Sequence, residues 1–415
     1  MALNYVWISF FLVAFLIAII KTILGDLTVF SDLTKSIFDN GKLGFELSIG
    51  LTGALAFWLG IMKIGEKAGV VNFLSKLLNP FFSRIFPEIP KNHPAIGSMV
   101  MNFSANMLGL DNAATPMGLK AMGQLQEVNT NKEVASNAQI LFLVLNTSGL
   151  TLIPVSILAL RASYGSQDTV MVFIPILLAT FCSSMFGLIA VSIVQRLNIF
   201  NRVVLSYLIG AFIIVGGLVY YTHSLPKDEL KIFSNLTSGI ILFSVIASFI
   251  TAGLYKKIDV YSAFIEGAQD GFKVAIKIIP YLIAILCAIG AFRASGAMDV
   301  LIESIRVFFE FLGVDTRFVD ALPTGIMKPF SGGGARGVMV EAWDNYNTST
   351  KNGADTFVGK LTSIMQGSTE TTFYVLAVYF GSVNIKKTRY ALGIGLLVDL
   401  VGLIAAIIIG YMFFG

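Results

Sequence analysis

Uninterrupted apolar stretches of about 20 residues recur along the whole chain, and they constrain its fold more than any other feature. A helix of that length crosses a hydrocarbon core about 30 Å thick. Runs such as WISFFLVAFLIAII and LVGLIAAIIIGYMFF do not alternate polar and apolar residues with period two, which excludes a transmembrane β-barrel. Only 13% of the 415 residues are charged, whereas an ordinary soluble chain has about 25%. The fold class expected is therefore an all-α polytopic membrane protein.

The same arithmetic removes other classes. The net charge of +4 comes from Lys and Arg scattered at helix ends, so no nucleic-acid surface is expected. Cys182 and Cys287 both lie in apolar runs and read as two buried small hydrophobes, not as a disulfide framework or cluster ligands. Two histidines, His93 and His223, leave no HExxH or other His-rich zinc site, and no cofactor is expected. No Lys or Arg precedes the first apolar run and no small-residue cleavage site follows it, so it reads as a retained first span.

Hydropathy places nine ordinary spans at about 4 to 24, 44 to 64, 134 to 160, 168 to 194, 202 to 222, 233 to 255, 272 to 294, 356 to 380 and 390 to 413. Two further stretches, about 93 to 126 and 318 to 346, are moderately apolar but studded with Gly, Pro, Ser and Asn. Irregular backbone survives at membrane depth only where protein or a water-filled cavity satisfies its polar groups, so both are expected to be re-entrant hairpins. The segments about 67 to 87 and 296 to 312, with Phe81, Phe82, Phe308 and Phe309 opposite charged faces, read as interfacial amphipathic helices. Five Lys/Arg clusters fall on one side if the amino terminus is cytoplasmic and the carboxyl terminus outside.

The chain also repeats itself. GVVNFLSKLLNPFFSRIF from Gly69 aligns without a gap on GAMDVLIESIRVFFEFLG from Gly296, a shift of 227 that also carries Asn102, Phe103 and Ser104 onto Pro329, Phe330 and Ser331. Further on, LNTSGLT from Leu145 lies opposite MQGSTET from Met365. The charge-derived topology runs the closing spans of the two halves, 168 to 194 and 390 to 413, in opposite directions, so the halves are expected to be inverted-topology repeats, each with a Gly-rich hairpin and an interrupted helix. The division that follows is a first span and outer loop at 1–43, repeat 1 at 44–200, two connecting spans at 201–257 and repeat 2 at 258–415. Inverted repeats with polar interruptions in matching places point to a secondary transporter.

NMLGLDNAATPMGLKAM (106 to 122) resembles the signature of spore maturation protein A, and KPFSGGGARGVMVE (328 to 341) with IMQGSTETTFYVLAVYFGSVNIKKTRYAL (364 to 392) resembles that of spore maturation protein B. The resemblance covers nearly the whole chain, as though two usually separate proteins were joined. It implies membership of the nucleoside-recognition, or gate-domain, group, which is similar to the gate regions of bacterial ferrous-iron and concentrative nucleoside transporters. It implies a bacterial cytoplasmic membrane location, and a role in spore core dehydration where spores are formed, although the family also occurs in bacteria that form none. No GxxxxGK[ST] sequence is present, so nucleotide-driven transport is not implied.

Candidate substrate-binding residues come from four places. In the second hairpin, Ser331 and Gly333 lie in a glycine-rich run whose N–H groups, with Arg336, could hold a carboxylate or phosphate; the structural alternative pairs Arg336 with Glu341 or Glu370. A charge at a helix centre costs about 2.5 to 3.5 kcal/mol on insertion scales, which makes Arg336 and Glu370 functional candidates. In the interrupted spans, Asn146, Thr147, Ser148 and Thr151 oppose Gln366, Ser368, Thr369, Glu370 and Thr371, offering freed backbone groups to a solute and a coupling ion. Their structural alternative is back-bonding and close packing. The first hairpin offers Asn106, Asp111 and Asn112, the last two also able to cap a helix starting near Thr115. His93, before Pro94, reads as a turn residue.

The function expected is secondary-type transport of a small polar solute, with anions among the candidates, by alternating access, with a proton or sodium ion as candidate coupling ion, the lipid bilayer as partner and room for a homo-oligomer. The alternatives are a non-transporting receptor or scaffold with a transporter-like fold, and a gated channel. No Ser/His/Asp, HExxH or dicarboxylate arrangement supports an enzyme.

Overall fold

The computed structural model of the protein describes residues 2–90, 93–109 and 111–415. The side chains of Asp111, Asn112 and His223, among others, lie outside the described residues. Among those described the chain is helical throughout. A first helix, α1 (Ala2–Ile23), leads into α2 (Val29–Lys67), α3 (Val70–Ile85) and a helical hairpin of α4 (Pro94–Met107) and α5 (Asp111–Val128). Then come α6 (Asn137–Ser148), α7 (Val155–Ser163), α8 (Phe173–Gln195), α9 (Arg202–Ser224) and α10 (Lys227–Tyr255). The second half runs through α11 (Val260–Ala294), α12 (Ala297–Phe311), a second hairpin of α13 (Leu322–Met327) and α14 (Gly332–Asn345), α15 (Phe357–Gly367), α16 (Thr372–Ser382) and α17 (Ala391–Phe414).

Five described helices are long and apolar enough to cross a membrane: Val29–Lys67, Thr169–Gln195, Arg202–Thr222, Asn235–Tyr255 and Ala391–Phe414. The nine expected spans are fewer here for physical reasons. The stretch 134 to 160 is broken into α6 and α7, and 356 to 380 into α15 and α16, each piece too short to cross alone. The apolar part of α1 is Trp7–Ile23, and the end of α11 bends by 71° into α12.

Local sequence explains most boundaries. Ser136 and Gln139 form a reciprocal cap at the start of α6, and Thr356 caps α15 through Gly359 N–H. His93 accepts from Ala95 N–H at 3.3 Å, with Pro94 opening α4. Asp259 caps α11, and hydrogen bonds from the Ser262 side chain and backbone hold its carboxyl below the usual range. Gly69 and Gly296, with φ of 84° and 86°, start α3 and α12 in the left-handed region that glycine adopts freely. Both amphipathic helices leave apolar side chains exposed, Phe73 and Leu77 on α3, Val300, Phe308 and Phe311 on α12.

The long helices α2 and α11 pack antiparallel at very short range: Gly44 lies against Ile283, and Gly271 against Ala56. These contacts come in pairs. Moving 227 residues along the chain turns the contact of Gly44 with Ile283 into that of Gly271 with Ala56, and the contact of Asn40 with Gly290 into that of Lys63 with Gly267. It likewise turns the hydrogen bond from Cys287 Sγ to Ile37 O into the contact of Gly60 with Phe264. Cys287 is half-buried and Cys182 is exposed, so the expectation of two buried cysteines is corrected: Cys182 sits on the outward face of α8.

Candidate functional site

The site is built where the two broken spans cross. Helix α6 ends at Gly149, whose φ of 57° turns the chain out of the helix, and α7 begins at Val155. Helix α15 ends at Gly367 and α16 begins at Thr372. The breaks are thus 149–154 and 368–371, later in each span than the polar clusters suggest. Asn146, Thr147, Ser148 and Gln366 lie in the last turns of α6 and α15, whereas Thr151, Ser368, Thr369, Glu370 and Thr371 lie in the breaks themselves.

Ending a helix frees its last carbonyls, and buried carbonyls must find donors. Here the second break and α8 supply them. Glu370 N–H donates to Thr147 O at 2.8 Å, a backbone bond from the second break to the end of α6. Ser183 on α8 places its hydroxyl 3.0 Å from Ser148 O and 2.9 Å from Ser368 O, able to donate to either. Gly149 fits this crossing because a Cβ there would lie 3.0 Å from Glu370 Cγ and 3.1 Å from Glu370 N. Asn146, Thr147, Ser148, Gln366, Ser368, Thr369 and Thr371 are buried, Thr151 is half-buried and Glu370 is exposed.

Each hairpin tip meets one break. Asn106 at the end of α4 donates to Asn146 Oδ1 at 2.8 Å, and Leu152 N–H donates to Met107 O at 2.7 Å. On the other side Gln366 donates to Gly332 O at 3.2 Å, and Phe373 N–H donates to Pro329 O at 3.0 Å. Stacking of Phe330 on Phe373, with centroids 5.3 Å apart, adds to the second contact. Asn146 and Gln366 occupy matching positions in LNTSGLT and MQGSTET, and each reaches the hairpin of its own half.

Ser331 caps α14 by accepting from Gly334 N–H at 2.9 Å, and Gly332 lies against the Thr371 hydroxyl. Gly333 follows in the first turn, half-exposed like Ser331. Arg336 is half-buried; its Nε donates to Gly332 O at 3.2 Å, and no ion pair to a carboxylate is among those of the described residues. The pairing of Arg336 with Glu341 is therefore corrected: Glu341 is taken by Arg293, with Asn345 donating to the same carboxylate at 3.0 Å. Helix α5 starts at Asp111 itself, so Asp111 and Asn112 belong to its first turn and do not precede a helix at Thr115. Their side chains lie outside the described residues, so the expected acceptors opposite Arg336 lie there too.

Several residues escape a reading of the sequence. Asp399 is buried in the middle of α17 and accepts from the Thr372 hydroxyl at 2.6 Å. Lys328, at the end of α13, is also buried. Tyr379 lies between Asn102 Nδ2 (3.2 Å) and Asn146 Oδ1 (3.4 Å). Arg161 is wholly buried and pairs with Asp355 at 2.8 Å; it also donates to Ala354 O, Ser363, Ser166 and Asp168 O. At the opposite ends of the same spans, Ala135 N–H donates to Lys387 O, and Lys386 and Lys387 N–H donate to Glu133 O. A lone acid in an apolar run such as that around Asp399 is a signal in itself, because an ionisable group at membrane depth is retained only at a cost. The 194-residue separation of Arg161 and Asp355 leaves no comparable mark.

A family model described as nucleoside recognition (Gate) matches residues 48–164 and 275–386, more than half of the chain, in two stretches that begin 227 residues apart. Spore maturation protein A of Bacillus subtilis (strain 168) is 39% identical over 186 residues, covering 45% of this chain and 92% of that protein. Spore maturation protein B of the same organism is 43% identical over 171 residues, covering 41% of this chain and 91% of that protein. No solved structure matches the chain. With several helices long and apolar enough to span a bilayer and with bacterial relatives of this kind, the chain is a bacterial membrane protein that belongs to the nucleoside recognition (Gate) family.

Proposed function

We propose that this protein is a secondary-type transporter of a small polar, anionic solute, working by alternating access between two inverted halves. The observation that carries the reading is the crossing of the two helix breaks, joined by the Glu370 N–H bond to Thr147 O and shared by Ser183. Discontinuous helices whose freed backbone groups meet at one point are the way transporters present donors and acceptors to a solute inside a bilayer. Arg336 and the first turn of α14 stand beside the second break as its anion-seeking elements, and Glu370 is exposed there.

Inversion is supported by the exchange of contacts between α2 and α11. Two antiparallel helices whose contacts swap under one sequence shift are related by a two-fold axis across the pair, and such an axis would lie in the plane of the membrane if both helices cross it. In this reading the α4–α5 and α13–α14 hairpins are re-entrant, the amino terminus is cytoplasmic and the carboxyl terminus outside. The division at 44, 201 and 258 separates the repeats from the connecting spans, and the protein moves a solute without chemistry and without a cofactor.

Flux into proteoliposomes holding the purified protein tests the reading, using radiolabelled nucleosides, amino acids, dipeptides and dicarboxylates chosen by a thermal-shift screen. A ligand at 100 times its Kd stabilises by about 2.7 kcal/mol, enough to register in such a screen. Uptake above protein-free vesicles, lost in Arg336→Ala while the protein still inserts, is the expected result. Binding without flux would make the protein a receptor or scaffold, and single-channel currents would make it a channel.

A further inference from the structure

Among the described residues of the membrane-crossing part of α17, Asp399 is the one acidic side chain, about 12 Å from the start of the helix at 1.5 Å per residue. It is 6% exposed. Its Oδ2 accepts from the Thr372 hydroxyl at 2.6 Å, while Oδ1 is buried with no hydrogen-bond partner. Burying a carboxylate in such a place is costly, and burying a protonated carboxyl costs less. The helix is shaped to hold it against the second break: Gly402 lies against Ser368 and Thr369, and Gly395 against Thr372, one turn to either side of Asp399.

The charged groups that face Asp399 are Lys328, at the end of α13, and Glu370, in the break. Helices α6, α8 and α16, all packed on α17, carry no charged side chain; the charged residues of α10, which also touches α17, lie at 227–231 in its first turns, and Lys360 of α15 lies at the far end over the Phe414 ring. Lys328 favours the anion and Glu370 opposes it, so a single proton changes the balance of the site. An ammonium group close by, and only the Thr372 and Thr369 hydroxyls beside the carboxyl, suit a proton better than a metal cation, which needs several oxygens around it.

We propose that Asp399 is a proton-binding site seated against the second helix break, and that it is the driving-ion site of the transport cycle. The proposal rests on the transporter reading above. Proton uptake makes the surroundings of the break more positive by one charge, which favours an anionic solute there, and weakens the acceptor that holds Thr372 at the start of α16. Release of the proton restores both. Proton and anion would therefore enter together, with Asp399 as the element that links them.

Infrared difference spectroscopy of the full-length protein in lipid vesicles, titrated from acid to alkaline pH, tests the site without any solute. The expected result is a protonated-carboxyl band that titrates in wild type, is missing in Asp399→Asn and persists in Glu370→Gln. Thr372→Val removes the donor to the carboxylate and should move the midpoint of that band to higher pH by about one unit. A wild-type spectrum without the band, or a band that survives in Asp399→Asn, would overturn the proposal. Flux in the same vesicles judges the transport reading separately. Uptake whose pH dependence is unchanged in a folded Asp399→Asn protein would end the proposal and leave the transporter standing, whereas a band lost with Asp399 in a protein that moves nothing would support the site and remove its role in transport.

Discussion

The two helix breaks occupy matching places in the two halves, yet they are chemically unlike. The first, 149–154, is neutral. Its freed carbonyls are taken by the Glu370 N–H and Ser183, its Thr151 N–H lies 3.4 Å from the Thr180 hydroxyl, and α8 behind it is uncharged. The second, 368–371, contains Glu370 and is flanked by Asp399, Lys328 and Arg336. A duplicated framework thus breaks a helix in both copies, by way of left-handed Gly149 in the first and right-handed Ser368 in the second, while the groups able to change charge gather in one. The difference assigns fixed geometry to the first break and variable electrostatics to the second.

That contrast fails at once if the halves are not pinned in this register, and the strongest pin is the buried Arg161–Asp355 pair. Asp355→Ala leaves a buried guanidinium without its counter-charge, which costs about 3 to 5 kcal/mol. Thermal unfolding in detergent should show the loss, and a variant as stable as wild type would mean that the pair does not hold the spans together.

The next test strikes the crossing itself. Gly149→Val forces a β-branched residue into left-handed backbone and pushes its side chain into Glu370, so a loss of about 2 to 4 kcal/mol is expected in the same assay. Gly381→Ala, at a place with nothing within 4 Å, provides the control and should be tolerated. Equal effects from the two substitutions would remove the evidence that the breaks touch.

The smallest expected effect sharpens the assignment of roles. Ser183→Ala removes one donor shared by Ser148 O and Ser368 O and should cost about 1 kcal/mol of stability. Because the first break is read as framework, the pH dependence of solute binding should stay as in wild type. A shift in that pH dependence would show that the neutral break takes part in the titration.

Much of this arrangement is legible in the sequence because hydropathy and glycine carry long-range consequences. The apolar runs announce helices, and the shift of 227 between Gly69 and Gly296 recurs in the structure as the paired contacts of α2 and α11. The clusters around Asn146 and Gln366 lie beside the helix breaks but do not mark where the helices end. Asn, Thr and Ser close a helix as readily as they break one, and it is Gly149 that sets the end of α6. Asp399 drops out of a hydropathy average, which dilutes one carboxylate in a strongly apolar helix, and stands out only when the run is read residue by residue. Arg161 reads as a helix-end cation until folding brings Asp355 beside it.

In the transporter reading the crossing opens on a water path inside the protein. Labelling of a single cysteine, Glu370→Cys, in a protein whose Cys182 and Cys287 are replaced by serine, tests it most directly, using vesicles of known orientation and a membrane-impermeant maleimide. Modification by the polar reagent, slowed when a transported solute is added, is the expected result. Modification only by a lipid-soluble maleimide would place position 370 against the bilayer and rule out a water path at the crossing.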